Sequence, residues 1–110
     1  MVTPARGSIV LVPFPFSDLS QSKLRPAVVV SSAGSGDWIL CQITSNAYAD
    51  GNAVEVRDAD MEKGSLNLTS YVRPGKFFSG SSGLMAREVA RLKRASLDNI
   101  IGAVVKILQQ

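Results

Sequence analysis

The side chains able to act on a phosphate are the most informative feature of this sequence. Histidine is absent, which removes the commonest general base, the commonest metal ligand and every triad built on imidazole. Arg25 carries a guanidinium, which can hold a phosphate through two hydrogen bonds and stabilise the extra charge of a pentacoordinate transition state. Thr44 carries a hydroxyl that can donate to a phosphate oxygen. Chemistry by this pair would stabilise charge rather than transfer protons.

Both residues also have ordinary structural explanations. An arginine before a proline at the entrance of a strand is typical of a solvent-exposed loop end. Taken alone, Arg25 is best interpreted in this way. Thr44 is β-branched and suits a strand for that reason alone. Ser45 takes its place if the strand register is shifted by one residue.

Other basic and aromatic side chains have two interpretations each. Lys23, Arg73 and Lys76 could position phosphates, or they could form a solvated edge that discourages strand pairing. Phenylalanines in so short a chain are usually core residues, although they can also stack on bases. Phe16 is the best candidate for stacking.

The acidic stretch 57–64 invites a metal interpretation, because carboxylates alternate in it as at the start of a calcium loop. The glycine, however, stands at the seventh position instead of the sixth, and no bidentate glutamate follows at the required distance. A solvated turn fits better. We therefore predict no metal site in this stretch.

Composition limits the class of protein. A chain of 110 residues with 45% hydrophobic content is long enough for one core and too short for two ordinary domains, so we expect one domain over residues 1–110. Twelve Lys and Arg against nine Asp and Glu give a charge of +3, which permits polyanion binding without demonstrating it. The single cysteine, Cys41, cannot form an internal disulfide. With neither a secretory leader nor an apolar run of membrane-spanning length, we expect a cytoplasmic protein without a membrane partner.

The chain reads as short strands followed by one helix. Apolar segments separated by turn residues predict strands at 8–14, 27–31, 38–44, 53–57 and 68–78, with a hairpin turn near 34–37. The last of these extended stretches is expected to be broken by Pro74 and Gly75. Ser96 is expected to cap a helix whose apolar residues recur at spacings of three and four. Many short strands with one terminal amphipathic helix favour a small, strongly curved β-barrel whose open side the helix covers.

Three runs of residues carry a resemblance to a known family. The first is Arg-Gly-Ser-Ile-Val-Leu-Val-Pro-Phe-Pro-Phe at 6–16, the second Arg-Pro-Ala-Val-Val-Val-Ser at 25–31, and the third Cys-Gln-Ile-Thr-Ser at 41–45. Their order and spacing resemble those of the MazF/PemK toxins. Shorter matches at 64–66 and 70–76 and the closing helix extend the resemblance over nearly the whole chain.

The resemblance implies a mainly β fold, a compact barrel similar to an SH3 domain with a C-terminal α-helix. It also implies a homodimeric toxin that cleaves single-stranded RNA, including mRNA, at sequence motifs without a metal or cofactor, and that a cognate antitoxin inhibits. Arg25 and Thr44 would be the catalytic residues. By the same resemblance we expect RNA contacts from Phe16, Ser17, Lys23, Ser45, Arg73 and Lys76.

Cleavage without metal is chemically reasonable for RNA. The neighbouring 2′-hydroxyl of the substrate can attack the phosphate, so the protein need only align it and stabilise charge. A proton acceptor is still required, and arginine is a poor one because it stays protonated. Asp18 is a possible participant, although an aspartate beside serines is more typical of a turn. The sequence does not identify the base.

Two other functions fit the same residues. A non-catalytic barrel could bind nucleic acid or protein through Arg25 and Thr44. A gyrase poison of the CcdB type shares the barrel, but that type ends in Trp-Gly-Ile, whereas this chain ends in Lys-Ile-Leu-Gln-Gln. The basic cluster of Arg87, Arg91, Lys93 and Arg94 is better explained by solubility or by a groove for the antitoxin than by nucleic acid.

Overall fold

Seven antiparallel strands and one C-terminal helix make up the fold. The structure is a computed structural model that describes residues 2–15, 22–46 and 49–110, except for the side chains of residues 14, 15 and 22. The strands curl into a half-barrel, which confirms the predicted mainly β fold with a terminal helix. In chain order the elements are β1 (Ser8–Pro15), β2 (Ser22–Gly34), β3 (Asp37–Thr44), β4 (Val54–Val56), β5 (Met61–Gly64), β6 (Ser70–Ser81), β7 (Arg87–Leu92) and α1 (Arg94–Leu108), with short 3₁₀ turns at Asp58–Asp60 and Ser82–Leu84.

The first three strands of the chain form the centre of the sheet. The strands lie side by side in the order β4, β6, β3, β2, β1, β7, β5, so β1, β2 and β3 are consecutive neighbours. The hairpin between β2 and β3 turns at Ser35 and Gly36, whose φ angles are +56° and +83°. These left-handed conformations suit a tight turn in which glycine is favoured. The predicted hairpin at this position is confirmed.

The central strands bury side chains on both faces of the sheet. Side chains alternate along a strand, so Val28 and Val30 of β2 face one apolar cluster while Ala27 and Val29 face another. The first cluster is covered by α1 through Leu97. Burial on both faces explains why 27–30 reads as an unbroken apolar run.

The helix begins earlier than the sequence predicted. Its N-cap is Lys93 rather than Ser96. The Ser96 hydroxyl instead donates to Oδ1 of Asp60 at 2.8 Å, while Oδ2 of Asp60 accepts the backbone N–H of Arg57 at 2.8 Å. The prediction of a Ser96 cap is therefore wrong, because Asp60 competes for that hydroxyl and ties the 3₁₀ turn to the first turn of α1.

Three strand assignments also differ from the prediction. β6 runs through Pro74 and Gly75 without ending, because its register with β3 shifts there and residues 74–76 bulge. β5 and β7 are absent from the prediction. Met61 is the only buried residue of β5, and β7 begins with charged residues and buries only Ala90 and Leu92, so the apolar alternation of both strands is too short for the sequence search.

A charged cluster links three strands near the N-terminus. The buried Ser8 of β1 donates its hydroxyl to Glu88 of β7. Glu88 also pairs with Arg91, at 3.1 Å, and with Lys63 of β5, at 3.3 Å. Burial alone would raise the pKa of Glu88, but these hydrogen bonds outweigh it and the pKa is lowered. Arg91 therefore has a partner within the chain, as does Arg94 through Asp98.

Within the described part of the chain, no helix is long and apolar enough to cross a membrane.

Candidate functional site

A cleft of about 500 Å³ opens where β1, β2 and β3 approach the segment between β5 and β6. Its volume is in the range of small-ligand sites. Both apolar and polar residues line it, from β2, β3 and the 65–70 segment. The apolar lining residues are Leu11, Pro26, Ile43, Leu66, Leu68 and Val89, and the polar ones are Arg25, Gln42, Thr44, Ser45, Ser65, Asn67 and Ser70.

The structure brings Arg25 and Thr44 to this one cleft. β2 and β3 pair with Ala27 opposite Gln42, and the same register carried two residues further sets Arg25 opposite Thr44. Residues opposite each other share a face of the sheet, and neighbouring strands lie about 4.8 Å apart. A row of side chains therefore crosses four strands, from Val12 through Arg25 and Thr44 to Tyr71.

The Thr44 hydroxyl is held by the backbone just beyond its strand. The N–H of Asn46 donates to Oγ1 of Thr44 at 3.2 Å, and Oγ1 lies 3.2 Å from the carbonyl oxygen of Asn46. This local turn fixes the orientation of the hydroxyl at the rim of the cleft. Ser45 is exposed beside it. The register places Thr44, and not Ser45, on the same face as Arg25.

Arg73 and Lys76 lie outside the cleft lining. Arg73 is opposite Gln42 on β6, and its Nε donates to Oδ2 of Asp50 at 2.9 Å. That hydrogen bond, helped by one from the N–H of Asn52, lowers the pKa of Asp50. The charge of Arg73 is thus already balanced, whereas Lys76 is exposed.

The remaining predicted contacts are only partly placed. Lys23 is exposed on β2, opposite Phe14 and two residues before Arg25. Phe16 and Ser17, which were expected to contact RNA, lie outside the described residues, as does Asp18.

Arg25 is the only ionisable side chain among the cleft residues that the structure describes. This part of the wall can stabilise negative charge, but it supplies no proton acceptor. Across residues 2–15, 22–46 and 49–110, no three Cys, Asp or Glu side chains group as metal ligands would. Burial raises the pKa of Cys41 to about 12, so its thiol is neutral and unsuited to act as a nucleophile.

Sequence reasoning missed the polar residues that share the cleft with Arg25 and Thr44. Gln42 is a polar residue within an apolar strand, which was a detectable signal. Ser65 lies in the 64–66 segment that resembled the family without suggesting any chemistry, and Asn67 follows directly after that segment. Their position depends on the long-range pairing of β5 with β7, which local patterns do not reveal.

Comparison with known proteins identifies a family over almost the full length. Residues 5–108 match the family model described as PemK-like, MazF-like toxin of type II toxin-antitoxin system. Among curated proteins, none matches the chain.

Solved structures with the same fold are numerous. A MazE–MazF structure from Deinococcus radiodurans (Form-II) superposes with a TM-score of 0.77 at 21% identity, covering 100% of this chain and 99% of that one. An endoribonuclease in complex with its cognate antitoxin, from a mycobacterial species, gives 0.73 at 17% identity, covering 99% and 96%. The Mycobacterium tuberculosis toxin MazF-mt6 gives 0.71 at 17% identity, covering 93% and 96%. At these identities the likeness establishes the fold.

Proposed function

The chain belongs to the family of PemK-like and MazF-like toxins of type II toxin-antitoxin systems, and we propose from this that it is an endoribonuclease that cuts single-stranded RNA at short sequence motifs. The observation that carries the proposal is the meeting of Arg25 and Thr44 in one cleft. A guanidinium and a hydroxyl on neighbouring strands suit a phosphodiester, because both can donate to its non-bridging oxygens.

The reaction we propose uses the substrate's own nucleophile. The 2′-oxygen forms a bond to phosphorus, the bond from phosphorus to the 5′-oxygen breaks, and the products carry a 2′,3′-cyclic phosphate and a 5′-hydroxyl. Arg25 stabilises the charge that develops on the phosphorane oxygens, while Thr44 orients the phosphate. The proton of the 2′-hydroxyl passes to solvent or to a group outside the described cleft wall, and the departing 5′-oxygen takes up a proton from solvent to become the 5′-hydroxyl.

Cleavage in the presence of a chelator tests this function. Purified protein in excess EDTA should cut single-stranded RNA as fast as it does without EDTA, because no step requires a metal ion. Gel analysis should show discrete fragments from single strands and none from a fully paired duplex. Loss of cleavage on chelation would refute the mechanism, and RNA that is bound but uncut over hours would favour the non-catalytic binding module.

RNA binding should depend on Lys76 more than on Arg73. Each phosphate contact to a single strand contributes about 0.7 to the slope of log affinity against log salt. Lys76→Ala should therefore reduce this slope by about 0.7, the value for one contact. Arg73→Ala should reduce it less, because Asp50 already balances that charge. Binding titrations at several salt concentrations measure the slope.

The matched control is Lys106→Ala, which removes an exposed lysine from the last turn of α1. It should leave the slope unchanged. Equal slopes for wild-type protein and the Lys76 variant would show that Lys76 does not contact the RNA backbone.

The partners we propose follow from the family. They are mRNA as substrate in the cytoplasm, a cognate antitoxin as inhibitor, and a second copy of the chain as dimer partner. Similar folds have been solved as MazE–MazF assemblies, which supports the antitoxin. The short edge strands β4 and β5 leave unpaired backbone groups, which a partner chain could cover.

A further inference from the structure

We propose that Asn67 is a specificity-determining residue, whose side-chain carboxamide reads the edge of one unpaired RNA base held in the cleft. This inference rests on the proposed nuclease function, because it assigns the rest of the cleft to the substrate of that reaction. Arg25 and Thr44 would engage the phosphate, and the opposite wall would select the base beside it.

The cleft has the surfaces that a base requires. Its apolar lining includes Pro26, Ile43 and Leu66, which can pack against the flat face of a base. A charged wall would instead attract phosphates without regard to sequence. Proteins that read single-stranded RNA splay a base out and bind its face and its edge separately. The apolar side of this cleft suits the face.

A carboxamide is available for the edge. Asn67 lines the cleft, and no group in the described part of the chain forms a hydrogen bond with its side-chain amide. A carboxamide presents one acceptor and one donor side by side. That arrangement matches the adjacent donor and acceptor on the edge of a base, and it carries no charge that would favour phosphate.

Asn67 is held in place before any ligand binds. Its φ angle is +66°, a left-handed conformation that asparagine tolerates better than most residues. Its N–H donates to Oγ of Ser65 at 2.8 Å, and that hydroxyl donates to Oδ1 of Asp58 at 2.7 Å. This relay anchors the residue to the 3₁₀ turn at Asp58–Asp60. With its backbone fixed in this way, Asn67 has only its side-chain torsions left to order on binding, which lowers the entropy cost and favours discrimination.

Two variants of Asn67 test the inference, because one should weaken the base preference and the other should change which base is preferred. Asn67→Ala removes the carboxamide and should reduce the preference at one motif position about tenfold, the size of one good amide–base pair. Asn67→Asp keeps the shape but offers only acceptors. It should move the preference at that same position toward guanine, which presents adjacent N–H donors. Ser65→Ala, which loosens the relay, should weaken the preference in the same direction as Asn67→Ala.

The measurement uses two RNA pools randomised over the same positions. One pool is ordinary RNA, for cleavage and sequencing of the ends, and the other is 2′-O-methyl RNA, which cannot be cut and reports binding alone. Asn99→Asp is the charge-matched control, because Asn99 is exposed on α1 and should not alter base preference. Ratios between sequences within one variant cancel any overall loss of activity.

The outcomes separate this inference from the nuclease proposal. Base-selective binding that shifts in the Asn67 variants without any cleavage would reject the nuclease and keep the reading role. Cleavage with the same motif in wild type, both Asn67 variants and the Ser65 variant would reject the reading role and keep the nuclease. A shift of equal size in Asn99→Asp would also reject it.

Discussion

Replacing Arg25 with alanine should slow RNA cleavage by about 10² to 10³-fold, the usual cost of removing one group that stabilises transition-state charge. Arg25 is the only ionisable side chain among the described residues that line the cleft, so no other described group there can take over its charge. The loss should fall mainly on the rate of the chemical step. RNA affinity should change much less, because exposed lysines contribute to binding independently.

Single-turnover rates with saturating protein separate these two effects. Arg25→Lys should recover part of the rate, because it keeps the positive charge but loses the two-pronged hydrogen bonding. Arg94→Ala is the control, since Arg94 lies on α1 in an exposed ion pair with Asp98. A cleavage rate of Arg25→Ala within about twofold of the parent, well below the loss expected for such a group, would remove Arg25 from the mechanism.

The second large effect concerns stability. Gly64 ends β5 with a φ angle of +75°, and a Cβ added to it would lie 2.3 Å from the carbonyl oxygen of Val89 and 2.7 Å from Cα of Ala90. Both are backbone atoms that cannot rotate away, so β5 must separate from β7. Gly64→Ala should therefore destabilise the protein by about 2 to 4 kcal/mol. In a chain of this size that lowers Tm by roughly 10 to 20 °C.

Two other glycines serve as controls that separate the steric clash with β7 from the cost of the left-handed backbone conformation. Gly36 has a φ angle of +83° with open space around its missing Cβ, so Gly36→Ala should cost only the conformational part, about 1 kcal/mol. Gly102 lies in α1 with no strained angle and no close neighbour, and Gly102→Ala should stabilise the protein by about 0.5 to 1 kcal/mol. Calorimetry of the three variants measures their unfolding and so ranks them by stability. Equal losses for the Gly64 and Gly36 variants would show that the close approach to β7 has no effect.

The β2–β3 hairpin shows how much of the site follows from sequence. The glycine-rich turn placed the hairpin, so sequence reasoning could expect β2 and β3 to be neighbours. The turn sets Gly34 opposite Asp37, and an uninterrupted register from there would put Arg25 opposite Asn46. Two register shifts along the hairpin bring Arg25 opposite Thr44 instead. Such bulges depend on packing of the whole sheet, and no local pattern specifies them.

The elements that sequence reasoning missed share one physical property. Each contributes few apolar side chains to the core, since β5 buries only Met61 and β7 buries only Ala90 and Leu92, while polar groups such as Glu88 and Asp60 make long-range hydrogen bonds. Ser96 was predicted as a cap from its own residue type, whereas its hydroxyl is taken by Asp60, which lies 36 positions earlier. The wall of the cleft formed by Ser65 and Asn67 depends on these same long-range contacts, so it could be recognised only in the folded chain.

A double-mutant cycle on Arg25 and Thr44 tests most directly whether the two side chains act on the same phosphodiester. Single-turnover cleavage in EDTA is measured for the parent, Arg25→Ala, Thr44→Val and the double variant. If both groups serve one transition state, the double variant should be about as slow as the slower single variant, because residues that act as a unit are not additive. Losses that multiply, or a Thr44→Val protein that cuts at the parent rate, would contradict the mechanism.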